Sequence, residues 1–145
     1  MHSETLPRWL EQISTLNPTG NMIIVPGGGT YADEVRKMQK QQGYNEIYAH
    51  RMALHAMCRF AYDLVDLNSE LELTDDVDTL RDRTDWHKPL LWIPLCLMND
   101  FSEVPASWDY TSDSIDLWLA IKLKSEQLLL FKSVHLPEHQ DELYG

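Results

Sequence analysis

Three consecutive glycines near the start of the sequence are the residues whose type and spacing most clearly suggest chemistry. The run Met22–Val25 is typical of a buried strand, and Pro26 closes it. Gly27, Gly28 and Gly29 then turn the chain into a predicted helix. Glycines allow close approach of a ligand, and a helix start adds unpaired N–H groups and partial positive charge. The turn therefore predicts a cradle for a phosphate-like anion, with a tightly packed turn as the structural alternative.

Two known phosphate motifs can be tested against this turn. The sequence has no GxxxxGK[ST] pattern, so it is not a Walker-type loop. Gly27, Gly29 and Ala32 fit the looser dinucleotide pattern G-x-G-x-x-G/A. That fingerprint also needs an acidic residue about 20 positions later at the end of a strand. The region around His50 and Met52 is instead a predicted helix, so we reject a nicotinamide site.

Two later segments could contribute to the same site. Thr111, Ser112 and Asp113 stand at the predicted start of a helix, where hydroxyl and carboxylate side chains can contact a ligand or cap the helix. Lys132 and Ser133 follow the apolar run 128–131, which we predict to be a strand. Because ligand sites of parallel sheets lie at the carboxyl ends of the strands, both segments are expected near the glycine turn.

Other reactive side chains have simpler explanations. His50 and His55 are five residues apart, so they do not share one helix face as a metal pair would, although His50 could face a small-molecule ligand. The acidic group at 75–78 is better explained as a solvated helix start than as a metal site. We therefore predict no protein metal cluster. Asp113 has a similar alternative, as a residue that stabilises its own helix.

The elements that must position these residues alternate between helices and strands. Helices are predicted over about 3–16, 30–41, 46–67, 76–83 and 113–124, and strands over 22–25, 71–73, 89–94 and 128–131. Such alternation predicts a three-layer α/β/α sandwich with a mainly parallel sheet. With 145 residues, the chain is expected to form a single domain over 1–145.

Composition narrows the classes of partner and the compartment. The net charge of −11 argues against nucleic acid as a partner. No apolar run approaches the ~20 residues needed to cross a bilayer, and no signal peptide is visible. Cys58 and Cys96 form no CxxC pair and are interpreted as small buried hydrophobes. Together these features favour a cytoplasmic protein without a membrane partner.

The ordered segments Val25–Arg36, Ala49–Met57, Trp108–Ile115 and Leu128–Val134 resemble the amino acid kinase family. The similarity extends from about residue 6 to residue 134, and it is closest to a branch of small-molecule kinases of methanofuran biosynthesis. What the resemblance implies is transfer of a phosphoryl group from ATP, with Mg²⁺, to a small-molecule acceptor. It also implies a homo-oligomer, because relatives associate through a helix in the region of 46–67.

The resemblance also implies roles for individual residues. Gly27, Gly28 and Gly29 would lie near the transferred phosphate, with Thr111 and Ser112 beside them. Asp113 would order the lysines that neutralise the phosphates. Lys132 and Ser133 would lie by the nucleotide. Chemistry of this kind depends mainly on positioning and charge stabilisation.

The same comparison predicts that the chain is incomplete at both ends. It would lack the family's first strand with Lys-x-Gly-Gly and the last part of the nucleotide half. Three hypotheses stay open: a small-molecule kinase, a non-catalytic domain that binds phosphate or a metabolite, and an oligomeric structural domain.

Overall fold

A computed structural model describes residues 5–15, 21–83 and 88–132 of the chain. Within these ranges the chain alternates between helices and short strands, as the sequence predicts. The helices are α1 (Thr5–Thr15), α2 (Gly29–Gln42), α3 (Glu46–Leu67), α4 (Val77–Asp82) and α5 (Ser112–Leu123). The strands are β1 (Ile23–Ile24), β2 (Glu72–Thr74) and β3 (Leu90–Trp92), and one 3₁₀ turn spans Leu95–Leu97.

The three strands form a parallel sheet in the order β1-β3-β2. Leu90 pairs with Ile23 on one side and with Glu72 on the other, which fixes the register. All of β3 is buried, whereas β1 and β2 are largely half-buried because each has one neighbour in this sheet. The predicted mixed α/β fold class is confirmed, and the arrangement is compatible with an α/β/α sandwich. The strand at Met22–Val25 was expected to be fully buried, but β1 is half-buried and the fully buried strand is β3.

Helix α3 forms much of the core beside the sheet. Asn45 caps its start, because the side chain accepts a hydrogen bond from the backbone N–H of Tyr48 at 2.8 Å. The sequence places Ala49, Met52, Ala53, Ala56, Met57 and Phe60 at helical spacing along α3, and of these Ala49, Ala56 and Met57 are buried. Burial also includes His50, Leu54, Cys58, Ala61 and Leu64. The core joins α3 to the sheet, α1 and α5, and its most buried members are Leu54, Ala61, Leu90, Leu91, Trp92, Ile115 and Leu119.

Helix α2 packs against α3 and ends at a residue that only glycine fits well. Gly43 has φ of +69° and donates its N–H to the carbonyl of Gln39, which closes the helix. Across the interface, the Tyr31 hydroxyl donates to Asp63 at 2.6 Å, and the Arg59 guanidinium lies 4.0 Å from the Tyr31 ring centre. These contacts fix α2, and with it the glycine turn, against α3.

Two expectations from the sequence are wrong. The run Leu128–Phe131 is not a strand: these side chains are 40–60% exposed, and no neighbouring strand pairs with them in the described ranges. Phe131 contacts the Trp9 ring edge-on instead, at 4.2 Å between ring centres. Cys58 is buried as expected, but Cys96 is exposed.

None of the described helices has the length and apolar character needed to cross a membrane.

Candidate anion-binding cleft

The glycine turn begins α2 without a side-chain cap. Gly28 is the N-cap residue, and its carbonyl accepts the N–H of Ala32 at 3.1 Å. A Cβ atom on Gly28 would lie 2.4 Å from the Cβ of Ala32, which is too close for any other residue without a shift of the helix. Gly29 has φ of +52°, a conformation that disfavours side chains. The turn therefore needs glycine at these two positions, and it leaves the first N–H groups of α2 without intrahelical partners.

The start of α5 is also open and lies next to this turn. Thr111 is its N-cap residue, and the Thr111 side chain makes no capping hydrogen bond. A Cβ atom added to Gly27 would lie 3.8 Å from Ser112 Oγ, so the two helix starts are in contact range. Each N-terminus carries a partial positive charge. Two adjacent uncapped helix starts therefore favour an anion between them.

A cleft opens at this junction between α2, α3 and the segment before α5. Its enclosed volume is about 50 Å³, and the space including the open solvent at its mouth is about 420 Å³, so the cleft is shallow. The Arg36 guanidinium lies 4.7 Å from the Trp108 ring centre, and Trp108 Nε1 donates to the Gln39 amide oxygen. Its lining includes Gly28, Ala32, Arg36, His50, Thr111 and Ser112.

Arg36, the cationic residue of this cleft, was not identified from the sequence. Gly28, Ala32 and Arg36 are spaced four residues apart, so they form one stripe along α2. That spacing could have identified Arg36 from the sequence, because residues four apart on α2 lie on the same side of the helix as the glycine turn. Arg36 also pairs with Asp33 at 2.9 Å, and its side chain is 48% exposed, so the cation remains accessible from solvent.

A cluster of charged side chains, Asp113, Asp116 and Lys132, lies at the start of α5. Lys132 Nζ donates to both carboxylate oxygens of Asp113, at 2.5 Å for Oδ2. Asp116 is one turn further along, and its Oδ1 is buried without a hydrogen-bond partner in the described part of the chain. Burial, with repulsion from Asp113, raises the pKa of Asp116 to about 7, and Lys132 opposes that rise. The cluster couples one ion pair to a carboxyl group that titrates near neutral pH.

His50 projects from the second turn of α3 and lines the cleft. The side chain is 5% exposed, and its ring stands edge-on to Phe101 at 5.5 Å between centres. Burial lowers the pKa of His50, and the backbone of Ser107 partly opposes this lowering. His50 is therefore a neutral imidazole at pH 7. It does not pair with His55, whose side chain is exposed.

The structure brings some predicted site residues together and leaves others apart. Gly28, Thr111 and Ser112 line the cleft, with Gly27 against Ser112. Asp113 is not the N-cap residue of α5, and its carboxylate pairs with Lys132. The predicted site residue Ser133 lies outside the described residues.

The acidic group before α4 is a helix start, as expected. Asp76 accepts the N–H of Asp78 at 3.0 Å and the Thr79 hydroxyl at 2.6 Å. These hydrogen bonds lower the pKa of Asp76. In the described ranges, no three His, Cys, Asp or Glu side chains converge in a way that could hold a metal ion.

The fold and the cleft define an α/β domain with a glycine turn that faces a second helix start. No protein-family model matches the chain. Over 119 residues the chain is 29% identical to the curated protein [5-(aminomethyl)furan-3-yl]methyl phosphate kinase of Methanocaldococcus jannaschii. The alignment covers 78% of this chain and 52% of that protein, so the chain spans about half the length of this relative. The similarity supports a distant relationship to a kinase.

Proposed function

We propose that this chain forms the phosphate-binding part of an ATP-dependent kinase of the amino acid kinase family that phosphorylates a small-molecule acceptor. Two independent observations support the proposal. The relative is a kinase by name and aligns with most of this chain. The cleft joins two uncapped helix starts, which suits the phosphate groups that a kinase binds.

The adjacency of Gly27 and Ser112 is the observation that carries the proposal. These residues are 85 positions apart in the sequence, and the fold places them in contact range. A phosphoryl group in transfer carries charge on several oxygens, and fixed backbone donors stabilise it without reorganisation. The glycine turn and the start of α5 would supply such donors from two sides, with the Thr111 and Ser112 hydroxyls as further hydrogen-bonding groups.

Lys132 would add a mobile positive charge beside this backbone cradle. Asp113 holds the ammonium group through both carboxylate oxygens, so it sets where that charge lies. The pair is partly exposed, at 51% for Lys132 and 37% for Asp113. Lys132 would therefore be able to turn toward a nucleotide phosphate while Asp113 keeps it near the cleft.

Magnesium would enter with the nucleotide. Mg²⁺ in kinases is held largely by substrate phosphates with one or two carboxylates, so a dedicated protein cage is not needed. The unpartnered Oδ1 of Asp116 would meet that modest requirement, whereas both carboxylate oxygens of Asp113 are engaged by Lys132. The ion would neutralise phosphate charge during transfer.

Calorimetric titration of Mg-ATP into this chain tests the proposal. We expect micromolar binding, and we expect Asp113→Asn to weaken it about tenfold because Lys132 loses the carboxylate that positions it. Asp109→Asn is the matched control, since it removes the same charge from an exposed loop position four residues away. Absence of Mg-ATP binding, or equal effects of the two substitutions, would contradict the proposal.

Turnover separates the kinase from the binding domain that the sequence also allowed. The kinase proposal expects ADP release that depends on an added acceptor, tested across alcohols, amines and carboxylates. Tight binding of Mg-ATP without turnover for any acceptor would favour the non-catalytic alternative.

We also propose that the chain self-associates through α3. Ile47, Tyr48, Tyr62 and Leu67 are large apolar side chains on this helix that are 45–58% exposed. Ile47 and Tyr48 lie near the start of the helix and Tyr62 and Leu67 near its end, so a second chain packed along α3 would cover both groups. Light scattering at micromolar concentration is expected to show a dimer or larger species, and a strict monomer would contradict this part of the proposal.

A further inference from the structure

The first turn of α2 has three backbone donors that the helix itself does not use. Ala32 is the residue whose N–H closes the turn, on the carbonyl of Gly28 at 3.1 Å. The N–H groups of Gly29, Thr30 and Tyr31 lie before it, so they are the donors that an α-helix leaves unpaired at its start. Gly29 and Thr30 are exposed, which leaves this end of the helix open to a ligand.

Glycines alone would leave the direction of these donors loosely set. Glycine has more conformational freedom than any other residue, and Gly28 begins α2 without a side-chain hydrogen bond. Donors stabilise a charge best when they are already oriented and need not reorder on binding. The rigidity that an anion site needs must therefore come from contacts between the turn and a neighbouring element.

Tyr31 makes such a contact with α3 at two points. Its hydroxyl donates to Asp63 Oδ2 at 2.6 Å, and the Arg59 guanidinium lies 4.0 Å from the centre of its ring. Arg59 and Asp63 are four residues apart, so they lie on the same face of α3. The hydrogen bond to Asp63 is the main cause that raises the pKa of Tyr31, so the hydroxyl remains a donor above neutral pH.

A third residue of the same segment of α3 lies beside the turn. A Cβ atom on Gly29 would lie 3.7 Å from the ring of Phe60. Helix α3 therefore approaches the first turn of α2 at both Gly29 and Tyr31. Tyr31 unites the two features, because its backbone carries one of the free N–H groups and its side chain is anchored to α3.

We propose that Tyr31 is a positioning residue of the phosphate site, whose hydrogen bond to Asp63 fixes the direction of the free N–H groups at the start of α2. The inference rests on the proposed function, since it gives α3 a part in holding the phosphate groups of the nucleotide. Neither Tyr31 nor Asp63 is among the residues that line the cleft. Their effect on binding must therefore pass through the backbone of the turn.

Removal of one hydroxyl group tests the proposal. Tyr31→Phe keeps the ring beneath Arg59 but cannot bond to Asp63. We expect calorimetry to show about fivefold weaker Mg-ATP binding, which is the scale of one hydrogen bond. Tyr44→Phe is the matched control, because the Tyr44 hydroxyl donates to Gln42 at the opposite end of α2, and its affinity is expected to be unchanged. Wild-type affinity in Tyr31→Phe would overturn the inference.

Variants at Asp63 separate positioning from a purely structural role. A variant that loses stability but stays almost fully folded keeps its affinity, because only the competent fraction enters the apparent dissociation constant. Asp63→Asn retains an oxygen that can accept from Tyr31 and is expected to keep most of the affinity, whereas Asp63→Leu is expected to match Tyr31→Phe. The double variant of Tyr31→Phe and Asp63→Leu is expected to bind no more weakly than either single variant. Additive losses would overturn the inference.

An NMR readout without nucleotide separates this inference from the kinase proposal. In Asp63→Leu the backbone amide resonances of Gly29 and Thr30 are expected to shift, although the substitution lies on another helix. Asp66→Leu removes the same charge from an exposed position of α3 and is expected to leave them in place. If the wild-type chain fails to bind Mg-ATP, the kinase proposal falls, and shifted amides would still support Tyr31 as the residue that orders the turn. Unchanged amides in Asp63→Leu would overturn the inference whatever the nucleotide result.

Discussion

The two helix starts that meet at the cleft are built in different ways. At α2 the geometry comes from the backbone: Gly28 has no room for a side chain, and Gly29 has a positive φ. No ionisable side chain caps this start. The start of α5 instead carries charged side chains. Asp113 accepts hydrogen bonds from Lys132, and Asp116 lies one helical turn after Asp113.

This difference separates two properties of the proposed phosphate site. The backbone turn is insensitive to pH and has little freedom, so it sets where a phosphate group would lie. The charged cluster is partly exposed and titratable, so it sets how strongly and at which pH a phosphate group would be held. Substitutions at the two regions are therefore expected to have different signatures.

The largest effect is expected at the backbone turn. Gly28→Ala places a methyl group on the Cβ of Ala32, and relief of that clash would move the start of α2. We expect a loss of about 1–3 kcal/mol in the free energy of unfolding, with at least tenfold weaker Mg-ATP binding. Denaturant titration and calorimetry measure the two quantities.

Gly43→Ala is the control for the loss of a glycine in the same helix. Gly43 also has a positive φ, but an added Cβ would meet nothing within 4 Å. We expect a loss of about 1 kcal/mol in stability and unchanged Mg-ATP affinity. If Gly28→Ala behaves like Gly43→Ala, the turn is not part of the site.

The next effect concerns the pH dependence of stability at the charged cluster. The folded-state pKa of Asp116 is about 7, above the unfolded value of 3.8, so the folded chain holds this proton more tightly. Stability from this group is full below about pH 4 and is lost as the pH rises towards 7. We expect Asp116→Asn to remove this loss and gain about 1–2 kcal/mol at pH 8, since the group is only partly buried.

The effects of neighbouring charges on the pKa test whether Asp116 is the group that titrates. Asp113 raises the pKa of Asp116 and Lys132 lowers it. Asp113→Asn should therefore move the titration to lower pH, and Lys132→Gln should move it to higher pH. Carboxyl carbon NMR of the three proteins measures the shifts, and displacement in the opposite direction would refute the coupling.

A smaller effect is expected from Lys132 on binding. Lys132→Gln removes the mobile charge and is expected to weaken Mg-ATP binding roughly fivefold, with less than about 1 kcal/mol change in stability because the pair is exposed. Lys37→Gln on the exposed surface of α2 removes the same charge and is the matched control. Identical losses for both variants would point to net charge rather than to Asp113 and Lys132.

The smallest effect is expected at the rim of the cleft. Arg36 lies over the Trp108 ring, and an exposed contact of this type is worth about 0.5–1 kcal/mol. Trp108→Leu is expected to loosen Arg36 and weaken Mg-ATP binding by a few-fold at most. A loss as large as that of Gly28→Ala would contradict the assignment of the main phosphate contacts to the two helix starts.

Most elements of the fold could be predicted from local patterns. Leu10 and Ile13 of α1, and Ile115 and Leu119 of α5, recur at helical spacing, and all four are buried. The run Leu128–Phe131 failed because apolar character alone does not supply a neighbouring strand.

The site was less accessible to sequence reasoning. The glycine turn has a local signature, and the stripe from Gly28 to Arg36 could have been derived from the helical period. The contact between Gly27 and Ser112 depends on how the sheet places two distant segments, which no local pattern encodes. The burial of His50 likewise depends on how α3 packs, which the sequence alone does not show.

An NMR titration of the ¹⁵N-labelled chain with Mg-ATP tests most directly whether the two helix starts bind one nucleotide. The backbone amides of Gly29 and Thr30 at α2, and of Ser112 and Asp113 at α5, are expected to shift together with one dissociation constant. Shifts confined to one helix start, or two different dissociation constants, would contradict a shared site.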